Sequence, residues 1–456
     1  MNDEQNPVHH SSFIIHHSSF IIHIMTRFRI MLLFLALLLA LPATARLHEP
    51  ITTKVMFNKE IIRIFERNCL GCHAPNKIKA DIPLTTYEEA RPWAKAIKEE
   101  ILEKRMMPFQ AVKGYGDFLH DYALLQREVE LIVSWVEGGA PRGDLKDYPK
   151  EEIDRLIAGR EWTLGKPDLI LHPEKATIIA SGATVEKCLS LPAGLKEGRL
   201  LNAIDFQPGN GAIVEGASIA IAPAGSKACD AALPGVVEWV PGQLPSRLPA
   251  GAAYALPAGS RIQLRVRYRN NGENATDHSH VGLYFAASGA ARPLRTVAIS
   301  PSPAASIPAS DATIRVRAVY AIEESTAALA IRPLLFPFAK SIEATLVRPD
   351  GTAEVLIWAR GYRFDWQPVY YFRNPVPLPR GSRIEVTAYL DNSEENGNNP
   401  NDPPKSLRLD APLCELALTE TIDKGTAQPR KRISREDAMS RKRGERKGEV
   451  ASLQPR

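Results

Sequence analysis

The sequence predicts a multidomain chain in which an all-α domain precedes an all-β region of jelly-roll or sandwich type. Apolar residues recur at three- and four-residue steps in stretches between residues 56 and 137, which is the pattern of amphipathic helices. After residue 160 the pattern changes to short alternating runs, separated by Pro-Gly, Asn-Gly and Asp-Gly pairs. Alternation bounded by such turn residues is typical of strands that are buried on one face.

The N-terminal residues predict an exported protein. Arg27 and Arg29 precede the apolar run 30–41, and small residues follow it at 42–45. We interpret residues 25–45 as a signal peptide that is cleaved at its end. The run is short for a membrane span, although an uncleaved anchor is the alternative. The expected location is periplasmic or secreted.

Residues 1–24 do not fit a signal peptide. The run His-His-Ser-Ser-Phe-Ile-Ile at 9–15 is followed by an exact copy at 16–22. We expect an extension upstream of the true start, with Met25 as the initiator. The alternative is a His-rich metal-binding tract.

The run Cys69-Leu-Gly-Cys72-His73 predicts one covalently attached haem. Two thiols on one turn can add to the haem vinyl groups, and the next residue, His73, is then placed to ligate the iron; this is the c-type attachment motif. A thioredoxin-like motif and half of a zinc site are the alternatives. A thioredoxin-like motif would follow a strand, whereas this run follows a helical pattern. A zinc site would need a second Cys or His pair nearby, whereas the other cysteines lie far away and singly.

Three helices are predicted around this motif, at 56–67, 87–104 and 123–137. The third ends at Gly138-Gly139-Ala140-Pro141, a helix terminator. A haem motif at the end of the first of three helices predicts a class I cytochrome c domain over residues 46–145. We interpret residues 146–165 as a linker that includes a further helical pattern, from Lys150 to Gly159.

The iron needs a sixth ligand or an open site. Met107 is the predicted ligand, since a thioether raises the potential of a His-ligated haem, and Pro108 fixes the backbone after it. Met106 is the fallback, and His120 or an open position is the remaining alternative. Two adjacent methionines cannot both face the iron, so one of them is expected to fill the core.

Two stretches of the helical domain, TYEEARPWAKAIKEEILEKRMMPF and IVSWVEGGAPRGD, resemble the cytochrome c domains of large secreted bacterial proteins. In that family the haem domain is often fused to a domain like the copper type II, ascorbate-dependent monooxygenases of the peptidylglycine hydroxylating group. GYRFDWQPVYYF and DHSHVGLYFA, within residues 166–420, resemble that partner. The resemblance implies a β region of one or two jelly-roll subdomains. The family usually has Met-Pro-Pro-Trp where this chain has Met-Pro-Phe-Gln at 107–110.

The resemblance also implies two copper ions, one bound by three histidines and the other by two histidines and a methionine. The matching positions here are Ile213-Val214, Arg267-Tyr268 and Phe336-Pro337-Phe338-Ala339, and no methionine occurs between Met107 and Met439. We therefore expect a degenerate domain without copper, because a fold does not carry a function without its site.

His278-Ser279-His280 is a weaker candidate for a metal site. On a strand this spacing places both imidazoles on one face, where they can hold copper or zinc. No third ligand is evident from the sequence, and a solvated turn is the alternative. His172 is the other histidine of the β region.

Cys188, Cys229 and Cys414 predict one disulfide if the protein is exported. The sequence does not decide the pairing, although Cys188 and Cys229 are nearest along the chain. The remaining thiol is expected to be buried or linked between chains.

The formal net charge of +5 arises in the C-terminal tail. Residues 424–456 contain eleven Lys and Arg against four Asp and Glu, a net charge of +7. We expect residues 421–456 to form a basic disordered tail, solvated or in weak contact with an acidic partner or a membrane surface. No nucleic-acid partner is expected.

The combined prediction is a secreted monohaem cytochrome that transfers electrons to or from a redox partner protein. The β domain would dock that partner or bind a ligand. A haem-linked oxidoreductase with an active site in the β domain is the alternative, and an adhesion module with a vestigial haem is a third. A methionine ligand speaks against a peroxidase. The sequence leaves open the electron donor and acceptor, the potential, the oligomeric state and any substrate.

Overall fold

A computed structural model describes residues 52–106, 111–120, 123–158, 162–230, 232–287, 292–334, 336, 338–360 and 366–419. The expected extension, signal peptide and basic tail lie outside these residues, and so does Met107. The described residues from Thr53 onward belong to one compact unit.

Helices occupy the first part of this unit. A π-helical turn, Phe57–Ile61, continues into α1 (Ile62–Asn68), and the later helices are α2 (Tyr87–Ala90), α3 (Ala94–Leu102), α4 (Gln126–Glu137) and α5 (Lys150–Ala158). The predicted helix 87–104 is divided by a 3-10 turn, Arg91–Trp93. Pro92 explains this turn, because proline lacks the N–H that a continuous helix requires.

The first and third predicted helices pack through aromatic rings. The Trp135 ring lies 5.9 Å from that of Phe57 and 6.5 Å from that of Phe65. All three side chains are fully buried, and Trp135 Nε1 donates to the carbonyl of Pro141 at 3.0 Å. Ile153 of α5 joins the same hydrophobic core, so part of the expected linker packs with the helices.

The rest of the described chain is β-structure. The strands of its first half are β1 (Leu169–Leu171), β2 (Thr177–Ile179), β3 (Thr184–Pro192), β4 (Arg199–Gln207), β5 (Val214–Ala222), β6 (Val237–Trp239), β7 (Ala252–Leu256), β8 (Arg261–Arg269), β9 (Ala275–Asp277) and β10 (His280–Phe285). Those of the second half are β11 (Arg292–Ile299), β12 (Ala305–Ile307), β13 (Ile314–Ala321), β14 (Thr326–Pro333), β15 (Ala339–Val347), β16 (Ala353–Arg360), β17 (Tyr370–Leu378), β18 (Arg383–Leu390), β19 (Leu407–Leu409) and β20 (Cys414–Thr419).

These strands form a sandwich-like arrangement around two hydrophobic cores. An eight-stranded sheet of order β1-β10-β4-β7-β11-β20-β14-β17 runs through both halves. The sheet β3-β8-β5-β6 belongs to the first half, and β13-β18-β15-β16 belongs to the second. Each half has its own core, which confirms the predicted all-β region.

Strand β8 illustrates why these residues form sheets. Ile262, Leu264, Val266 and Tyr268 are fully buried, and three of the alternating arginines bond to groups at the sheet surface. Successive strand residues point to opposite faces, so this alternation buries one face and leaves the other for polar contacts.

The three cysteines outside the C-x-x-C-H run confirm the prediction of a single disulfide. Cys188 and Cys229 are bonded, with a Cα–Cα distance of 5.8 Å, and Cys414 is a buried free thiol. Within the described residues, no helix has the length and apolar character needed to span a membrane.

Candidate functional site

The predicted haem-binding residues lie on one turn at the end of α1. The amide of Cys69 donates to the Phe65 carbonyl at 2.7 Å, which continues the helix to the motif. The amides of Cys72 and His73 both donate to the Cys69 carbonyl, at 3.0 and 2.9 Å. The backbone therefore brings the two thiols and the imidazole together, as the spacing predicts.

A backbone carbonyl determines which nitrogen of His73 is available. Its Nδ1 lies 2.9 Å from the carbonyl oxygen of Ile82. Because a carbonyl only accepts, Nδ1 carries the proton and Nε2 keeps its lone pair. Burial lowers the pKa of His73, and the hydrogen bond to the Ile82 carbonyl opposes this shift without cancelling it. The net shift favours the neutral imidazole, which is the form that ligates metal ions.

The thiols of the motif have raised pKa values, whereas the reactive thiol of a thioredoxin-like pair has a lowered one. Burial raises the pKa of Cys69 to about 12 and that of Cys72 to about 11. For Cys69 the neighbouring Cys72 and the carboxylate of Glu128 raise the pKa further. A redox-active thiol needs a lowered pKa, so this environment does not favour a thioredoxin-like pair.

Loops of the β region lie directly against the motif. We call residues 240–246 the Gly242 loop. A Cβ added to Gly71 would lie 3.2 Å from the Cα of Gly242, and one added to Gly211 would lie 2.5 Å from the carbonyl oxygen of Asn76. Glycine is the residue that permits such close backbone approach, so the motif is in contact with the first β half.

The second β half holds the same loop from its other side. Trp366 Nε1 donates to the Pro241 carbonyl at 2.9 Å, and the amide of Val369 donates to Gln243 Oε1 at 3.3 Å. Trp366 and Gln243 are both buried. The Gly242 loop therefore links the motif turn to both β cores.

The sixth ligand stays a prediction for Met107, which lies outside the described residues. Met106 is half-buried just after α3, and its amide donates to the Glu100 carbonyl at 3.1 Å. His120, the other alternative, hydrogen-bonds to the backbone of Pro245 in the Gly242 loop. Burial lowers the pKa of His120.

The positions that match the family's copper ligands do not fit a metal ion. Val214 and Phe338 are buried in the two hydrophobic cores. At the pair Arg267-Tyr268, arginine stands where the family has histidine, and a guanidinium that stays protonated does not ligate a metal ion. Aliphatic and phenyl groups offer no donor atoms, and copper and similar ions require nitrogen, sulfur or oxygen donors.

The structure instead brings three other histidines together. The ring centroid of His172 lies 5.1 Å from that of His278 and 5.4 Å from that of His280, and the latter two are 5.1 Å apart. Burial lowers the pKa of His280, and the charges of His278 and His172 lower it further. His172 was missed from the sequence because it lies far from the His-x-His pair along the chain. The pairing of strands β1 and β10 brings His172 beside His280.

A very small cleft, with space for about one water molecule, lies where the two β halves meet. It is lined by Asp205, Glu238 and Gln243 from the first half and Tyr371 from the second. Asp205 is 4% exposed, its Oδ2 has no hydrogen-bond partner among the described residues, and burial raises its pKa to about 7. A buried carboxyl group with a strongly perturbed pKa in a cleft is a candidate functional group.

Glu238 lies on another wall of this cleft. Its Oε1 accepts a hydrogen bond from Ser218 Oγ at 2.6 Å, and its Oε2 lies 3.5 Å from Arg332 Nη1. Burial raises the pKa of Glu238, and Arg332 opposes that shift. The Glu238 carboxylate therefore has a hydroxyl and a guanidinium beside it, whereas Asp205 Oδ2 has no such partner among the described residues.

No protein-family model and no curated protein matches this chain. Among solved structures, the major capsid protein P2 from Bacteriophage PM2 matches with 9% identity over 57% of this chain and 99% of its own, at a TM-score of 0.28. Paenibacillus xanthan lyase matches with 8% identity over 57% of this chain and 27% of its own, at 0.17. A fucolectin from striped bass serum matches with 9% identity over 54% and 86%, at 0.14. Scores this low carry no argument about this chain.

Proposed function

We propose that this protein is an exported monohaem c-type cytochrome that acts in electron transfer. Cys69 and Cys72 would hold the haem covalently, and His73 would be its proximal ligand. The observation that carries the proposal is the C-x-x-C-H turn, in which the Ile82 carbonyl orients His73 and leaves Nε2 for the iron. When bound, the haem supplies a centre that takes up and releases one electron.

The helical region supports a class I cytochrome c fold for this part of the chain. The motif follows the first helix, and α4 packs back onto that helix through Trp135, Phe57 and Phe65. Met107 is the proposed distal ligand, with Met106 as the fallback. A thioether at this position would raise the potential of the centre.

Export is the proposed location. The disulfide between Cys188 and Cys229 supports it, since disulfides persist mainly in oxidising compartments. The expected signal peptide over residues 25–45 agrees with this location.

The β region is proposed to be a copper-free relative of the monooxygenase-like domain, with a role in docking a redox partner or binding a ligand. Its support is the apolar character of the matching copper positions, Val214 and Phe338. The contact between Gly71 and Gly242 would place such a docking domain against the haem-binding turn.

A haem-linked oxidoreductase is the second candidate function. The cleft with Asp205 and Glu238 favours it, because Gln243 of the Gly242 loop lines this cleft and the same loop contacts the motif turn. If the purified protein catalysed a copper-dependent hydroxylation driven by ascorbate, the oxidoreductase would replace the electron-transfer cytochrome as the proposed function.

The test is periplasmic expression together with the cytochrome c maturation machinery. We expect a reduced-minus-oxidised spectrum of a low-spin c-type haem, one haem per chain, and haem that stays on the protein in denaturing gels. The double variant Cys69→Ala/Cys72→Ala should lose covalent haem, whereas Cys414→Ala, which removes the buried free thiol of the β region, should keep it. Equal haem content in the two variants would refute the proposal.

A further inference from the structure

The pairing of strands β1 and β10 explains why three histidines that are distant along the chain lie together. Strands β1 and β10 are antiparallel, with Leu171 opposite Val281. The residue after Leu171 therefore lies beside the residue before Val281, which places His172 next to His280. His278 is two residues away from His280, and this spacing returns its side chain to the same face.

Each of the three rings has one nitrogen bonded to a backbone carbonyl. His172 Nδ1 and His278 Nε2 lie 3.0 and 2.8 Å from the carbonyl oxygen of Pro173. A ring nitrogen of His280 bonds to the backbone of His278. Since a carbonyl only accepts, each of these nitrogens carries the ring proton, and the other nitrogen of each neutral ring keeps its lone pair. Histidines that ligate metals almost always donate their second nitrogen in this way.

The ring separations match a tetrahedral ion. With imidazole nitrogens at about 2.0–2.1 Å from Zn²⁺, ring centroids around one ion stand about 5 Å apart. The observed separations are 5.1, 5.1 and 5.4 Å. Among the described residues, no three His, Cys, Asp or Glu side chains are placed to hold a metal ion as the structure stands. Binding would therefore require the rings to turn about their side-chain bonds, and a ring that turns far would exchange its carbonyl hydrogen bond for the bond to the ion.

The backbone that carries His278 and His280 is held in place. Asp277 Oδ1 accepts from the amide of Asn210 at 2.8 Å, and its Oδ2 accepts from the hydroxyls of Tyr268 and Ser279, each at 2.8 Å. Asp277 and Ser279 are buried. Asp277 is thus engaged in the core, so the histidine rings are the available donors of this segment.

We propose that His172, His278 and His280 form a binding site for one divalent transition metal ion, with water in the remaining position. Imidazole donors suit zinc, copper, iron and nickel. The site uses none of the residues that match the family's copper ligands, and it is independent of the proposed haem. Its place is the surface end of the β1–β10 pair, where His172 is exposed.

Zinc titration of the exported protein tests this site. The protein is purified without a polyhistidine tag, treated with a chelator, and shown by mass to lack residues 9–23, which contain further histidines. Isothermal titration with Zn²⁺ should give one ion per chain. His172→Gln and His280→Gln should each weaken binding by at least about tenfold. Glu174→Gln, which removes an exposed charge beside the cluster, should bind zinc like the parent.

Cobalt gives a second measurement, which reports the coordination geometry of the bound ion. Co²⁺ in this site should show the visible absorption of a tetrahedral complex, and His172→Gln should lose that absorption while circular dichroism shows an intact fold. The absence of one-to-one zinc binding, or zinc binding that is equal in both histidine variants and the parent, would overturn the proposal.

Discussion

The carbonyl of Ile82 decides the chemistry of His73 at the scale of a single residue. A ring that donates from Nδ1 cannot offer that nitrogen to an ion, so Nε2 is the nitrogen that would ligate the proposed haem iron. The carbonyl of Pro173 orients two of the clustered histidines in the same way. At His73 and in the histidine cluster, a backbone carbonyl thus determines which ring nitrogen carries the proton.

Met107→Ala should remove the distal ligand of the proposed haem. We expect loss of the near-infrared or red absorption band that reports a methionine–iron bond, and a lower reduction potential, because a thioether raises the potential of a His-ligated haem. Met106→Ala is the matched control, since it removes a thioether from the adjacent, half-buried position. If the band is lost in Met106→Ala alone, the ligand is Met106.

Asp205 should make stability depend on pH. Burial raises its pKa from 3.8 to about 7, so the folded protein binds more protons than the unfolded chain between these values. The free energy of unfolding should therefore fall as pH rises from about 4 to about 7, and stay level above that range. At about 1.36 kcal/mol per pKa unit, the total effect of this group is at most about 4 kcal/mol.

Asp205→Asn isolates this effect, because the amide does not titrate. Urea unfolding of both proteins at pH 4.5, 6 and 8 gives the difference in stability, in which histidine titrations common to both proteins cancel. The variant should gain stability relative to the parent as pH rises. A difference that is independent of pH would show that Asp205 has an ordinary pKa.

At the scale of elements, the spacing of apolar residues predicted the individual helices and strands. The helices at the motif and at 123–137 follow their apolar spacing, and β8 follows its alternation. The break at Pro92 was foreseeable from the missing N–H. Sheet order was not predictable, because it depends on contacts between distant residues, and the meeting of His172 with His278 depends on that order.

Trp135→Ala should disrupt the packing of α4 on the first helix. Trp135 is fully buried, contacts Phe57 and Phe65, and donates to the Pro141 carbonyl. Truncation of such a side chain costs about 3–5 kcal/mol of unfolding free energy. Trp93→Ala removes a ring that is 42% exposed in the same helical region and should cost far less. Denaturant unfolding followed by circular dichroism measures both, and equal losses would contradict this account of the core.

At the scale of the whole molecule, the helical region and the β region are joined by more than their connecting segment. Residues 111–120, which lie between two predicted helices, pair with the second β half through the bridges Ala111–Ala359 and Phe118–Phe372. The amide of Leu119 also donates to the Tyr371 carbonyl at 2.7 Å. The helical and strand patterns of the sequence predicted separate domains, whereas the described residues from Thr53 onward belong to one compact unit. A loop that packs into a distant core leaves no periodic pattern in a sequence.

Phe118→Ala should therefore destabilise the β region from within the helical part of the chain. Phe118 is 9% exposed, belongs to the second β core and stacks on Phe372 with ring centroids 5.3 Å apart. We expect a loss of about 3 kcal/mol or more. Leu119→Ala, at a neighbouring position that is 38% exposed, should cost less than about 1 kcal/mol.

The same variant also tests whether the two regions unfold together. If the packing of Phe118 couples them, circular dichroism and haem absorbance should follow a single transition in the parent and separate transitions in Phe118→Ala, since the helical core of Phe57 and Trp135 is left intact. Two transitions in the parent would show that the regions are independent. In that case the β region would act on the proposed haem site through its direct contacts with the motif region, Gly242 against Gly71 and Gly211 against Asn76.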